Sequence, residues 1–292
     1  MNYTLQSADL TVEINPIGME ISSIKSKNTG LEYIWQADPS IWNGQAPVLF
    51  PIVGALKDGF TIIDGKRYEM PKHGFVRNST KPKLVEETDN SVRLRLTWDE
   101  ESLMQYPFEF QLDMVFTLVG KTLEIEHQIS NLSNKTMPYF IGAHPAFNCP
   151  LYPGETYEEY SLEFPELETD ATWLITDNGL ITDQTQPFLE NSSSIVLQKH
   201  LFDKDALIFK HLKSREVTLT HRNKGAILAV KFDDFDYLGI WAKSGAPFVC
   251  IEPWLGIGDS FNSNNEFVNK EGLQKLEPQQ SETKSYSIMV ID

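Results

Sequence analysis

Two segments of the chain place an ionisable side chain between an apolar run and a proline. One run leads to His144 and then Pro145, and the other leads to Glu252 and then Pro253. Because proline cannot donate to a β-ladder, each strand is expected to stop there and to leave its ionisable residue at the sheet rim, where a cleft can form. Burial would raise the pKa of Glu252 towards neutrality, which suits a general base, and a histidine near its ordinary pKa can act as the opposing acid. The pattern predicts an acid/base pair.

Aromatic residues and a third segment, residues 70–77, accompany these two positions. Phe147 and Trp254 are predicted to present apolar faces to the C–H side of a sugar ring. Together the residue types predict proton transfer at a neutral, polyhydroxylated substrate. Two plainer interpretations stay open, with Glu252 as a salt-bridged rim residue and Arg77 as a hairpin-end residue paired to a carboxylate. The remaining histidines are interpreted as structural: His127, His200, His211 and His221.

The elements that must position these residues are predicted to be β-strands. Apolar and polar residues alternate with the period of a half-buried strand, and short glycine-containing turns separate the runs. The clearest runs are residues 92–98, 110–118, 123–129, 217–221, 227–232 and 286–291. Helical signals are weak and confined to residues 38–43 and 269–276. Since every half-buried strand must cover its apolar face, the sequence predicts an all-β fold, one large antiparallel β-sandwich domain over residues 1–292 with few short helices.

Composition narrows the range of partners. The 292 residues carry a formal net charge of −16, which would repel phosphate backbones, so no nucleic-acid partner is expected. Neither a signal peptide nor a run of roughly 18 apolar residues is visible, which predicts a cytoplasmic protein with no membrane partner. Cys149 and Cys250 form no CxxC or Cys/His ligand pattern, and motifs for a serine nucleophile, a nucleotide or zinc are lacking. We expect no cofactor and no metal, and both monomer and homodimer stay open.

The ordered series of short motifs resembles the aldose 1-epimerase (galactose mutarotase) family, and most of all its LacX-type branch from Gram-positive bacteria. The resemblance covers nearly the whole chain, and although each motif is modest alone, their joint order is specific. In chain order the motifs are residues 18–25, residues 42–54, Pro-Lys-His73-Gly-Phe, Gly-Ala-His144-Pro-Ala-Phe, Asp205-Ala-Leu-Ile-Phe, Ile-Glu252-Pro-Trp and residues 270–278.

The resemblance implies a β-supersandwich that interconverts the α and β anomers of a monosaccharide without a cofactor. By this resemblance, Glu252 takes the proton from the C1 hydroxyl and His144 protonates the ring oxygen, so that the ring opens and recloses on its other face. His73 and Asp205 are expected to hold sugar hydroxyls. Donating and withdrawing protons together avoids separated charge, and fixed geometry lowers the barrier further.

One departure from the family pattern concerns the choice of sugar. Galactose-specific members carry an arginine where this chain has Lys57, and lysine lacks the planar fork of arginine. Arg77, four residues after His73, is the alternative candidate for that contact. A hexose-6-phosphate mutarotase stays open as a variant, as does a protein that binds or senses sugars without catalysis. A glycoside hydrolase would need two carboxylates, and Asp205 with Glu252 is the pair that we would nominate.

Overall fold

The computed structural model describes residues 1–291, and antiparallel strands joined by short turns make up most of it. The strands are β1 (Tyr3–Gln6), β2 (Leu10–Asn15), β3 (Glu20–Ser26), β4 (Val48–Leu49), β5 (Phe60–Ile63), β6 (Lys66–Glu69), β7 (Lys83–Glu87), β8 (Ser91–Thr97), β9 (Phe110–Val119), β10 (Thr122–Asn131), β11 (Met137–Tyr139), β12 (Ile141–Ala143), β13 (Ala146–Asn148), β14 (Tyr160–Ile175), β15 (Ile181–Val196), β16 (Leu207–Phe209), β17 (Glu216–His221), β18 (Gly225–Lys231), β19 (Tyr237–Trp241), β20 (Phe248–Leu255), β21 (Gln274–Leu276) and β22 (Ser281–Val290). One α-helix, α1 (Glu100–Gln105), and short 3-10 turns at Ile17–Met19, Lys57–Gly59, Val76–Asn78, Tyr157–Glu159 and Phe267–Asn269 complete the described elements.

The larger sheet has nine strands in the order β15-β14-β17-β18-β22-β10-β9-β8-β7. Its strands show why the sequence alternates, because in β10 the buried positions are every second residue from Leu123 to Asn131. β9 and β10 pair without a register shift from Val119↔Thr122 to Phe110↔Asn131. All six predicted runs fall on strands of this sheet, within one residue at their ends, and the predicted antiparallel all-β class is confirmed.

The second-largest of the five sheets in the described residues has six strands, and its central strand is buried along its whole length. The order is β16-β19-β20-β12-β4, with β13 also paired to β20. All eight residues of β20 are buried, so alternation gives way to a continuous apolar run, the pattern of a strand covered on both faces. Glu252 is the charged residue within that run. The carboxyl group of Glu252 is therefore shielded from water by the sheet.

The two sheets share one contiguous hydrophobic core. Phe50, directly after β4 of the six-stranded sheet, contacts Tyr106, Phe110 and Tyr139, with ring centroids 6.0, 5.2 and 6.3 Å away. Phe110 begins β9 of the larger sheet, so this aromatic cluster joins the two sheets directly. Tilted and edge-on aromatic pairs of this kind add about 0.5–1.5 kcal/mol each beyond the burial of their surface.

Helical structure is sparse, as predicted, but its position differs from the prediction. Residues 38–43 form a turn in which the amides of Ile41 and Trp42 donate to the carbonyl of Asp38. Of the predicted residues 269–276, only Asn269 is helical, as the last residue of a 3-10 turn, because Gly272 takes a φ of +77° and residues 274–276 form β21. Helix α1 had no predicted counterpart, and a capping box between Asp99 and Ser102 begins it. Within residues 1–291, no helix has the length and apolar character needed to cross a membrane.

Candidate active site

A cavity of about 620 Å³ lies against the six-stranded sheet and collects six of the eight predicted site residues. Glu252 and Trp254 reach it from β20. The other four lie in the segments between strands: His73, Arg77, His144 and Asp205. These residues are separated by up to 181 positions in the chain (254 minus 73), so the fold and not local sequence brings them together.

Glu252 lies at the floor of the cavity, opposite Gly239 of β19, and is 1% exposed. Burial raises the pKa of its carboxyl well above the usual value, because the ionised form loses its hydration, and the negative charge of Asp205 adds to the shift. The positive charges of Lys72 and Arg77 oppose this shift without cancelling it. The Oε2 atom has no hydrogen-bond partner. A buried carboxyl group whose pKa is raised in this way is a candidate general base.

His144 follows β12 and brings its imidazole over Glu252. Its Nε2 lies 3.2 Å from Oε2 of Glu252, although the two atoms are not aligned as a hydrogen bond. Burial, with the positive charge of Arg77 next, lowers the pKa of His144 to about 3. The ring is fixed by stacking on Trp42, with centroids 5.2 Å apart, and by edge contact with Trp241 at 5.6 Å. The histidine is therefore held in one orientation next to the carboxyl group.

His73 is held by two hydrogen bonds with Gly54, in an unusual backbone conformation. Its backbone amide donates to the Gly54 carbonyl at 2.8 Å, and its Nδ1 accepts from the Gly54 amide at 3.1 Å. Because Nδ1 is an acceptor, the neutral ring carries its proton on Nε2 and can donate there. Burial, with the charge of His144 next, lowers the pKa of His73 well below its usual value, which keeps the ring neutral. Its φ of +68° is strained for a residue other than glycine, and such strain clusters at functional sites.

Asp205 has the same kind of backbone strain on the opposite part of the cavity wall. Its φ is +79°, and its Oδ1 accepts from the amide of Ala206 at 2.8 Å. That local hydrogen bond is what allows aspartate to occupy the left-handed region. The carboxylate is half-buried on the cavity wall, where it can accept hydrogen bonds from hydroxyl groups.

Trp254 lies across the sheet because glycines stand on the strands on either side. A Cβ atom at Gly142 of β12 would be 2.9 Å from the Trp254 ring, and one at Gly239 of β19 would be 2.5 Å from it. Trp254 lines the cavity and is 5% exposed, and its indole N–H interacts with the Glu252 carboxyl and lowers the pKa of that group. The two glycines therefore fix an apolar ring with a polar atom at the cavity.

Lys57 and Phe147 do not line the cavity. The ammonium group of Lys57 donates to the carbonyl of Ser263 at 2.8 Å, which directs it away from the predicted sugar contact. Phe147 is directly opposite Val249 on β20, and Val249 faces the other side of the sheet from Cys250 and Glu252. Phe147 is consequently fully buried in the core, and its predicted stacking on a sugar ring does not fit its position.

Four residues of the cavity wall carry chemistry that the sequence did not assign: Trp42, Lys72, Trp241 and Lys243. The two tryptophans hold His144, and the lysines add positive charge. No periodicity marks them, since Trp42 lies in a turn and Trp241 ends β19. The concentration of aromatic residues around the Trp-Asn-Gly turn was the available signal for Trp42.

One group of buried side chains, two of which line the cavity, has the geometry to hold a metal ion. The ligand atoms of His144, Cys250 and Glu252 all lie within 4.8 Å of one another, and all three residues are buried. Cys250 and Glu252 are two positions apart on β20 and therefore share a face.

Comparison with known proteins decides the family. A model described as aldose 1-epimerase matches residues 1–273 of the chain. The chain belongs to the aldose 1-epimerase family. Two LacX proteins of Lactococcus lactis subsp. lactis, one plasmid-borne and one chromosomal, are each 44% identical over 303 aligned positions that cover 100% of both chains.

Solved structures of aldose 1-epimerase relatives share the fold. A galactose mutarotase related enzyme from Lactobacillus acidophilus superposes with a TM-score of 0.93 at 33% identity, over 100% of this chain and 98% of the other. A galactose mutarotase-like protein from Lactobacillus casei also gives 0.93, at 24% identity and full coverage of both chains. The second likeness supports the fold alone. The family supports an isomerase acting on a sugar as the kind of function.

Proposed function

We propose that the protein interconverts the α and β anomers of an aldose by acid/base-catalysed ring opening and closure. One observation carries the proposal, the 3.2 Å separation between Nε2 of His144 and Oε2 of Glu252 at the floor of the cavity. In a cyclic aldose, the 1-hydroxyl oxygen and the ring oxygen are bonded to the same carbon. An acid and a base can act on these two oxygens together only if both reach the same end of the sugar, and two side chains 3.2 Å apart meet that condition.

The proton balance of the reaction fits a pair that shares one proton. Glu252 as a carboxylate accepts the proton of the C1 hydroxyl while His144 as an imidazolium donates to the ring oxygen, and the C1–O5 bond breaks. The open-chain aldehyde then rotates about C1–C2, and the reverse transfers close the ring on its other face. Ring opening leaves a carboxylic acid and a neutral imidazole, the forms that burial favours. Since both forms hold the same number of protons, neither direction requires exchange with bulk water.

The other residues of the cavity wall position the sugar. The N–H of His73 and the carboxylate of Asp205 can donate to and accept from hydroxyl groups, and both are fixed by local hydrogen bonds. Trp254 offers an apolar face to the C–H groups of the ring. Fixed donors and acceptors hold the C1 end over the acid/base pair, and such positioning lowers the barrier because little freedom is left to lose.

Polarimetry on freshly dissolved α-glucose and α-galactose tests the proposal. Glu252→Gln keeps the shape of the side chain but removes the base, and we expect the catalysed rate to fall by about 10²–10⁴-fold. The matched control is Glu124→Gln, an exposed glutamate on β10, which should leave the rate unchanged. Equal rates in Glu252→Gln and wild type would contradict the mechanism. Calorimetric sugar binding by a wild-type protein that does not accelerate anomerisation would instead favour a sensor or binding protein.

A second candidate substrate, an aldose phosphate, is favoured by the charge of the cavity wall. Lys72, Arg77 and Lys243 line the cavity in a protein whose net charge is −16. A cluster of cations in an acidic protein is typical of a site that binds an anion. The test compares kcat/KM for a hexose and its 6-phosphate in wild type and in Lys72→Met. A selective loss for the phosphate in the variant supports this substrate, and equal values for both sugars in wild type contradict it.

A further inference from the structure

We propose that a soft divalent cation of the zinc and cadmium type binds between His144, Cys250 and Glu252 and blocks the acid/base pair. The three ligand atoms lie within 4.8 Å of one another, and of the three residues His144 and Glu252 line the cavity whereas Cys250 is fully buried. They come from two separate parts of the chain, with His144 after β12 and the other two on β20. The proposal adds an inhibitory site to the proposed mutarotase and does not make the metal a cofactor.

The polar atoms of this cluster lack the partners that a purely structural role would supply. Oε2 of Glu252 is buried without a hydrogen-bond partner, Nε2 of His144 lies 3.2 Å from it, and Cys250 is a free, fully buried thiol. Buried polar atoms are nearly always paired, so an unpaired carboxylate oxygen beside an imidazole and a thiol calls for an explanation. Proton transfer explains His144 and Glu252 but leaves Cys250 without a use. A cation would engage all three side chains at once.

The donor set selects the class of cation. One thiolate, one imidazole and one carboxylate suit zinc and cadmium, whereas magnesium and calcium require oxygen ligands. Two ligand atoms about 2.0–2.1 Å from a tetrahedral zinc ion are separated by about 3.3 Å. The separation of His144 Nε2 from Glu252 Oε2 is 3.2 Å. Three protein ligands leave one position of a tetrahedral ion free, and the cation can reach the site through the cavity that His144 and Glu252 line.

Binding the cation releases protons without any change of oxidation state. The thiol of Cys250 loses its proton as the sulfur–metal bond forms, and Glu252 loses its proton where it holds one. His144 coordinates in its neutral form, which burial favours. Because protons are released, affinity for the cation should rise with pH. The bound cation occupies the lone pairs that the proposed ring opening needs, so it should compete with the sugar.

The first experiment measures binding independently of any activity. Cd²⁺ is titrated into the full-length protein, and the thiolate-to-cadmium charge-transfer band in the ultraviolet is recorded with wild type, Cys250→Ala and Cys149→Ala. We expect one equivalent to saturate the band in wild type and in Cys149→Ala, in which the other buried cysteine is changed. Loss of a ligand should weaken the affinity by more than the roughly 10–100-fold typical of losing a supporting partner. Cys250→Ser, whose hydroxyl is a poor ligand for these cations, repeats the test with a side chain of similar size.

Two results would overturn the proposal. One is a folded wild-type protein that gives no thiolate band with Cd²⁺, and the other is a band that depends on Cys149 and not on Cys250. The inhibitory part rests on the proposed function and is tested with Zn²⁺ in the polarimetric assay. Zinc should inhibit wild type competitively with sugar, while Cys250→Ala turns over sugar and resists zinc. If no protein accelerates anomerisation, the proposed function fails, and the cadmium band still tests the site.

Discussion

Two buried histidines in different regions, His127 in the nine-stranded sheet and His144 at the cavity, show what separates a structural from a reactive residue. Burial lowers the pKa of His127 to about 4 and that of His144 to about 3. Each is stacked on an aromatic ring, His127 on Tyr286 and His144 on Trp42, at the same interplanar angle of 26°. The difference is the surroundings, because only His144 of the two lies on the cavity with a carboxyl group 3.2 Å away. Burial and a shifted pKa alone do not identify a functional histidine.

The largest effect is expected when His144, the histidine at the cavity, is replaced. His144→Gln should lower the catalysed rate of anomerisation by about 10²–10⁴-fold, because it removes the group that donates to the ring oxygen. His127→Gln should leave the rate within about threefold of wild type, since an uninvolved residue contributes nothing to differential binding of the transition state. Polarimetry at saturating sugar measures both. A large loss of rate in a well-folded His127→Gln variant would overturn the distinction.

The next effect concerns the glycines that position the active site. Gly239→Ala should destabilise the fold by about 1–3 kcal/mol and raise KM, because its Cβ atom would overlap the Trp254 ring. Gly120 lies in the turn between β9 and β10, and a Cβ atom added there would have no other atom within 4 Å. The cost of alanine at Gly120 is therefore only the backbone strain of its φ of +58°. Gly120→Ala should therefore leave KM unchanged. Denaturant midpoints and sugar titrations separate the two variants, and a normal KM in Gly239→Ala would contradict the role given to Trp254.

A smaller effect is expected in the pH dependence of stability. His127 has a folded pKa of about 4 against an ordinary value of 6.5, so the unfolded chain takes up its proton first as the pH falls. The stabilisation that comes from keeping His127 neutral is fully present above pH 6.5 and is lost progressively between pH 6.5 and about pH 4. His127→Gln removes this contribution, and the loss of stability between pH 7 and pH 5 should be about 1–2 kcal/mol smaller than in wild type. Urea unfolding at the two pH values measures the difference, and identical losses would show that His127 is not held neutral.

The sequence predicted the strands of the larger sheet well, for a physical reason. Its strands have one buried and one less buried face, as β10 shows. Apolar and polar residues therefore alternate along the sequence with a period of two. A different argument pointed to His144 and Glu252, the presence of an ionisable residue between an apolar run and a proline. The strand end that it predicted is found at His144, which follows β12, but not at Glu252, because β20 continues through Pro253 to Leu255 and holds Glu252 within the buried strand. β20 shows where this signal ends, since a strand buried on both faces carries no alternation.

Side-chain direction across paired strands is what the sequence could not supply. Phe147 lies only three residues after His144, yet its pairing with Val249 turns it to the other face of the sheet. Trp42 is distant from His144 in the chain and stacks on it through tertiary packing. Cys250 shares a face with Glu252 by simple alternation, but its proximity to His144 depends on how the segment after β12 folds back. Contacts between strands, and not the propensity of any one of them, decide these three positions.

The smallest expected effect sharpens the comparison between the cavity wall and the surrounding loops. Lys57 donates to Ser263 and lies outside the cavity lining, whereas Arg77 is half-buried on the wall and its charge acts on both Glu252 and His144. Lys57→Met should change KM for sugar by less than about twofold, because it removes one partly exposed hydrogen bond worth about 1 kcal/mol to the loop and no contact with the ligand. Arg77→Met should raise KM and shift the pH profile of kcat, because a nearby cation favours the carboxylate form of Glu252 and disfavours the imidazolium form of His144. Sugar titrations from pH 5 to 9 compare the two variants. If Lys57→Met raised KM as much as Arg77→Met does, Lys57 would contact the sugar, as the family pattern implied.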